Sequence, residues 1–188
     1  MIVPITREDV NPNQADTEYG LTPLVWATKN KHERVVKILL ERKDLNPNQA
    51  KTGSGWTPLL WAAENGHSGV VKMLLEQEDV NPNQTDTDSD RTLLLWAARY
   101  GHSWIVKMLL EREDINPNQA DTEHGATPLS WAAKNGHLEV VQMLLEREDV
   151  NPYQADTDSG RTPLSWAARY GHSGVVRMLL EREDVNPY

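Results

Sequence analysis

Apolar and polar positions along this chain repeat on a strict 35-residue period, marked by threonines at Thr22, Thr57, Thr92, Thr127 and Thr162. The stretch 127–151, TPLSWAAKNGHLEVVQMLLEREDVN, shows the unit most clearly. A period of this length sets an array of stacked units, each contacting its neighbours, in place of a domain around a single core. Each unit reads as a polar loop, a short helix, a tight turn and a longer helix. In the longer helix Val140, Val141, Met143, Leu144 and Leu145 span about 200° at 100° per residue, wider than the stripe of an ordinary surface helix. Such a helix needs apolar neighbours on two sides, and the units before and after supply them. Ala132 and Ala133 in the shorter helix let a neighbouring helix approach closely.

The punctuation agrees with this pattern. Thr127 is a good N-cap, and Pro128 suits the first helical position, where its missing N–H costs nothing. The same pair stands at Thr22-Pro23, Thr57-Pro58 and Thr162-Pro163, while the third unit has Leu93 in place of the proline. The short helix is expected to end at Asn135-Gly136, with the glycine left-handed. Lys31 stands where the other units have that glycine. A left-handed lysine costs roughly 1–2 kcal/mol unless Asn30 takes up the conformation, so the first unit is expected to be the least stable. Asp90 replaces a second glycine, in the loop, and aspartate tolerates such geometry better than most residues. The loops carry Asn-Pro followed by a polar run, as at 49–55, and read as turns or fingers, not strands. The chain divides into the tail of a preceding unit (1–8), units at 9–43, 44–78, 79–113, 114–148 and 149–183, and the start of another at 184–188. The last unit repeats the interior apolar pattern at Val175, Val176, Met178, Leu179 and Leu180, with no polar capping version. The chain is therefore expected to be an excerpt from a longer array, or to stack through its ends on other copies.

The run Thr-Pro-Leu-x-x-Ala-Ala-x-x-Gly-His-x-x-Val-Val-x-x-Leu-Leu, complete at Thr162, Pro163, Leu164, Ala167, Ala168, Gly171, His172, Val175, Val176, Leu179 and Leu180, resembles the ankyrin repeat over essentially the whole chain. The resemblance implies an all-α solenoid of five 35-residue helix-turn-helix units with long finger loops. It further implies a concave face of fingers and first helices that binds protein partners. The chain departs from the family in three ways. Its period is 35 against the usual 33, with the extra length in the finger. Arg-Glu-Asp stands where a glycine usually follows the second helix. The family's histidine after Thr-Pro-Leu is replaced by Val25, Leu60, Leu95, Ser130 or Ser165, so its buried hydrogen bond must be missing or replaced. The Leu-Ser-Trp-Ala-Ala dialect at Leu129 and Leu164 is similar to the ankyrin arrays of fungal NACHT-type, NLR-like receptors. That similarity implies a ligand-sensing array in innate immunity or incompatibility.

Composition narrows the chemistry. The net charge of -9 disfavours nucleic acid and anionic membrane surfaces, which favour basic patches, and suits a partner of basic or mixed charge. No cysteine is present, which excludes disulfides and thiol catalysis. No segment approaches the ~20 apolar residues of a membrane span, and the expected location is the cytoplasm. His32, His67, His102, His137 and His172 recur once per unit. Homologous helices pack about 8–10 Å apart, too far for two histidines to share one zinc, so these are expected to serve the inter-helix turn. Asp86, Asp88 and Asp90 copy the start of a calcium loop, but Arg91 and Ala97 fall where that loop needs glycine and a bidentate glutamate. No nucleophile is paired with a base and no phosphate loop is present. The reading is non-enzymatic, with no cofactor and no metal.

Trp26, Trp61, Trp96, Trp131 and Trp166 recur and are expected to pack between helices, each indole N–H wanting an acceptor. Trp56 and Trp104 do not recur. Differences between units concentrate in the finger and at the end of the first helix. The partner-binding candidates are Tyr19, Leu21, Lys29, Trp56, Glu64, Arg91, Arg99, Tyr100, Trp104, His124, Lys134, Arg161, Arg169 and Tyr170. Aromatic and arginine side chains dominate interface hot spots, which favours recognition, whereas drift at exposed sites leaves a similar trace. A structural, self-associating array is the alternative reading.

Overall fold

In a computed structural model, described here for residues 10–181, the chain forms ten α-helices and no strand. The partial units expected at 1–8 and 184–188 lie outside the described residues. The helices are α1 Pro23–Lys29, α2 Glu33–Leu40, α3 Pro58–Glu64, α4 Ser68–Leu75, α5 Leu93–Tyr100, α6 Ser103–Leu110, α7 Pro128–Asn135, α8 Leu138–Leu145, α9 Pro163–Arg169 and α10 Ser173–Leu180. Odd-numbered helices pack against one another in chain order, even-numbered ones do the same, and each odd helix packs on the even helix that follows it.

The start of each odd helix is fixed by its threonine. The Oγ1 atoms of Thr22, Thr57, Thr92, Thr127 and Thr162 accept the backbone N–H three residues on. α5 forms without the proline: Leu93 occupies the first position and is buried, so packing replaces the fixed φ. Where the family's histidine is missing, Val25, Leu60 and Leu95 are sealed in the core. Ser130 and Ser165 instead pair with the hydroxyls of Thr127 and Thr162 at 3.1 Å.

The core is a column to which each unit adds the same side chains. Leu24, Leu59, Leu94 and Leu129 are buried in the odd helices, beside Ala27, Ala62, Ala97, Ala132 and Ala167. α4, α6 and α8 each bury two adjacent apolar residues and a leucine (Val70, Val71 and Leu74 in α4), whereas α2 buries only Val36. The wide apolar stripe is thus satisfied from both sides in the interior of the array.

Two polar ladders tie unit to unit. In the finger segment Asn-Pro-Asn, the second asparagine reaches across. Asn13, Asn83 and Asn118 donate to the carbonyls of Asp44, Asp114 and Asp149 at 2.6–2.9 Å, and Asn48 does the same to Asp79. Asn13, Asn48 and Asn118 also accept the N–H of Asn46, Asn81 and Asn151. Tyr153 takes this place in the fifth unit and brings no amide. The second ladder is histidine. His102, His137 and His172 turn Nε2 to the carbonyls of Glu64, Arg99 and Lys134 at 2.8–3.0 Å, which occupies the orphan carbonyls at the end of the preceding short helix.

That second ladder explains the turn glycines. Gly66, Gly101 and Gly136 are left-handed (φ 69–74°), and a Cβ on any of them would come within 2.5–2.6 Å of the next unit's imidazole. Lys31 takes the left-handed conformation itself, at φ 58°, while Asn30 stays at φ -94°. Correspondingly, His67 alone uses Nδ1 and reaches Thr28, one carbonyl earlier than its counterparts. Relieving the left-handed side chain is worth about 1–2 kcal/mol. Lys31→Gly is therefore expected to raise the urea midpoint by that amount of stability, and an unchanged or lowered midpoint would contradict this account of the turn.

Candidate interaction face

Each finger is a short turn closed across its base by a backbone hydrogen bond. Asp16, Lys51, Asp86, Asp121 and Asp156 donate their N–H to the carbonyls of Leu21, Trp56, Arg91, Ala126 and Arg161 at 2.9–3.2 Å. Inside the turn, in every finger but the second, sits a carboxylate. Asp16 accepts the N–H groups of Glu18, Tyr19 and Leu21 and, at 2.8 Å, the indole N–H of Trp26. Asp86, Asp121 and Asp156 accept the indoles of Trp96, Trp131 and Trp166 at 3.1, 2.7 and 2.6 Å. Trp61 has Lys51 ten residues upstream and no acceptor among the described residues, whereas for Trp26, Trp96, Trp131 and Trp166 the acceptor is thus an aspartate at that distance. The sequence reading did not identify it, although the spacing recurs in four units. Asp86, taken alone as a copy of a calcium ligand, spends its oxygens on Asp88 N–H, Ser89 N–H and the indole of Trp96.

Consecutive fingers are joined in turn, since Thr87, Thr122 and Thr157 donate their N–H to the carbonyls of Ser54, Ser89 and His124. With the fingers tied, the tryptophan rings line up along the odd helices, and cations sit over them. Lys29 lies 5.7 Å from Trp26 and 4.7 Å from Trp61. Arg99 lies 5.5 Å from Trp96 and 4.2 Å from Trp131, and Lys134 lies 4.5 Å from both Trp131 and Trp166. Arg91 and Arg161 reach Trp96 and Trp166 from the fingers, and Arg169 from the end of α9. Trp96 and Trp131 are only 6% and 4% exposed, so the middle of this row is core capped by cations.

The second unit breaks the row. Glu64 stands where the other units place a cation, and among the described residues no cation is shared across the Trp61–Trp96 step. Trp56 fills it, 4.8 Å from Trp61 and 5.0 Å from Trp96, packed against the core. Its ring is therefore a built part of the row. Burial pushes the Glu64 carboxyl up, against the pull of Arg99 and Lys29.

The remaining candidates separate clearly. Tyr100 and Tyr170 lie nearly parallel to Trp96 and Trp166 at 5.9 and 5.8 Å. Tyr19 meets Trp26 edge-on at 5.6 Å, and His124 lies at 5.6 Å from Trp131. Tyr19, Tyr100 and Tyr170 are about half exposed and complete the face. Arg91 is held by Glu123 and lies 3.7 Å from Asp121, with only 11% of its side chain exposed. Two residues do not join the face. Leu21 is 3% exposed and belongs to the core, because the finger's closing bond folds it under. Trp104 is 70% exposed on α6, with Lys107 over its ring, and stands among the even helices. Among the described residues no three His, Cys, Asp or Glu groups come together to hold a metal, and no helix is long and apolar enough to cross a membrane.

The latch carboxylates link this face to pH. Burial alone would raise the Asp156 carboxyl, but the Ser159 N–H and hydroxyl, the Trp166 indole and the Arg161 N–H outweigh it and hold it below its ordinary value. Asp16 is also lowered, chiefly by the Tyr19 N–H and then by the Trp26 indole. A depressed carboxylate stabilises the fold above its unfolded pKa, and that contribution is lost as pH falls through the folded value. Asp156→Asn and Asp16→Asn are thus expected to be less stable than the parent at pH 7, with the difference shrinking below about pH 4. A difference that stays constant across the acid range would contradict the latch.

A family model described as Ankyrin repeats (3 copies) matches residues 2–86, 43–121 and 94–188. No curated protein matches the chain.

Proposed function

The chain belongs to the ankyrin-repeat family, whose repeats mediate protein–protein interaction, and we propose that it is a non-enzymatic recognition module. In this reading five 35-residue units, bounded as the period sets them, form one array. The partner binds on the face made by fingers and odd helices. The observation that carries the proposal is the placement of the side chains that differ between units. Tyr19, Tyr100 and Tyr170 sit half exposed on rings that are themselves fixed by aspartates, so the aromatic anchors are presented with little ordering left to pay for. Lys29, Arg99, Lys134, Arg161 and Arg169 line the same row within a chain of charge -9. Such a face suits a protein surface with acidic and aromatic groups in a mixed-charge setting.

The Leu-Ser-Trp-Ala-Ala dialect extends the proposal: the array is the ligand-sensing part of a cytoplasmic NLR-like receptor of the fungal NACHT type. A second reading, self-association, is favoured by one observation. Ile38 on α2 and Leu180 on α10 are 62% and 57% exposed.

The test begins with partner capture from extracts of the source cell. Affinity of the captured partner is then measured for Tyr19→Ala, Tyr100→Ala, Tyr170→Ala and, on the other side, Trp104→Ala. At least one tyrosine is expected to cost more than about 1 kcal/mol, the ordinary mark of an interface residue, with Trp104→Ala near neutral. Losses confined to Trp104→Ala would place the interface on the even helices and overturn the proposal.

A further inference from the structure

The second unit carries the serine and indole donors of the fifth unit but not their acceptor. Lys51 stands at the position of Asp16, Asp86, Asp121 and Asp156, and Gly53 at the position of Glu18, Asp88, Glu123 and Asp158. The finger 51–56 therefore bears one positive charge and no negative one. Two of its polar atoms, Ser54 Oγ and Trp61 Nε1, are buried and have no hydrogen-bond partner among the described residues. In the fifth unit the equivalent pair shares one carboxylate. Ser159 Oγ donates to Asp156 at 2.8 Å and Trp166 Nε1 donates to the same group at 2.6 Å. A buried donor without an acceptor is costly to keep, and here two of them point to the same missing chemistry.

We propose that the finger 51–56 accepts a carboxylate from the protein partner, with Ser54 Oγ and Trp61 Nε1 as donors and Lys51 as the neutralising charge. The partner supplies in trans the group that Asp156 supplies within its own unit. Lys29, whose Nζ lies 4.7 Å from the Trp61 ring, adds a second positive charge beside the site. Both donors are buried, so in this proposal the carboxylate enters as the finger shifts. Gly53 provides room for this, since nothing lies within 4 Å of where its Cβ would stand. Gly55 stays as the fixed point, because a Cβ there would meet Thr87 at 2.5 Å. The second unit thereby becomes the position that selects for an acidic group within a face otherwise closed by its own aspartates.

This subsite rests on the reading of the face as a protein-binding face, but its test needs no partner. Protein labelled with 15N at tryptophan is titrated with sodium acetate against sodium chloride of equal ionic strength, and the Trp61 indole is assigned through Trp61→Phe. The Trp61 indole N–H is expected to move downfield and saturate in acetate, while the indoles of Trp26, Trp96, Trp131 and Trp166, already bonded, stay in place. Lys51→Asp is expected to move the Trp61 signal to the range of the bonded indoles without acetate and to abolish the response. Ser54→Ala is expected to weaken the response about tenfold, as for one lost hydrogen bond to a charged group, with a melting temperature no lower than the parent's. N-acetylglycine and N-acetyl-aspartyl methylamide then separate a chain-end carboxylate from a side-chain one. A Trp61 signal that ignores acetate, moves equally in Lys51→Asp, or moves together with every other indole overturns the subsite. If a captured partner binds through the tyrosines and is indifferent to Lys51→Asp, the recognition function stands and the subsite alone fails.

Discussion

A carboxylate at the base of a finger, with backbone N–H groups and an indole N–H converging on it, is the interaction on which the rest of this array depends. Asp16 accepts four such donors, and hydrogen bonds to a charged group are shorter and stronger than neutral ones. One group thereby sets the turn of the finger and ties it to the helix that carries the tryptophan. The ring cannot swing out while its N–H is held, so the cations and tyrosines stacked on it inherit a fixed position. The face of fingers and odd helices is held in one arrangement because the scaffold's own polar satisfaction runs through it.

Between units the ties are of a different kind. The asparagine and histidine ladders pair side chains of one unit with backbone groups of its neighbour. They fit an array whose stability is a sum over units and nearest-neighbour contacts. A local change is therefore felt one unit away. Lys31 shows this: its left-handed side chain replaces a glycine in the first unit, and the adjustment appears in His67 of the second. The asparagine ladder runs through the Asn-Pro-Asn segment of the fingers, which thereby braces one unit on the next.

Much of this was legible in the sequence because repetition exposes it. The threonine caps, the left-handed glycines and the two-sided apolar stripe follow from spacing alone, and each has its counterpart in the structure. The need of each indole for an acceptor was legible too, but not the acceptor. Asp16 and Trp26 are ten residues apart across a turn, and no helical or strand period brings such a pair together. The same limit affected single residues. Leu21 varies between units like a surface position, yet the closing bond from Asp16 N–H to its carbonyl folds it into the core. Trp56 looked separate from the scaffold because it does not recur, whereas it fills the one step of the row where Glu64 has replaced a cation. Lys51 carries no signal by itself and stands out only against the aspartates of the other four units.

The central claim is that the finger aspartate and the indole ten residues on act as one unit of stability. A double-mutant cycle on Asp121→Ala and Trp131→Phe, measured by urea denaturation at pH 7, tests it directly, with Lys51→Ala and Trp61→Phe as the parallel cycle. The account predicts a coupling of about 1.5–3 kcal/mol for Asp121 with Trp131 and none for Lys51 with Trp61. Couplings that agree between the two cycles within about 0.5 kcal/mol would contradict it.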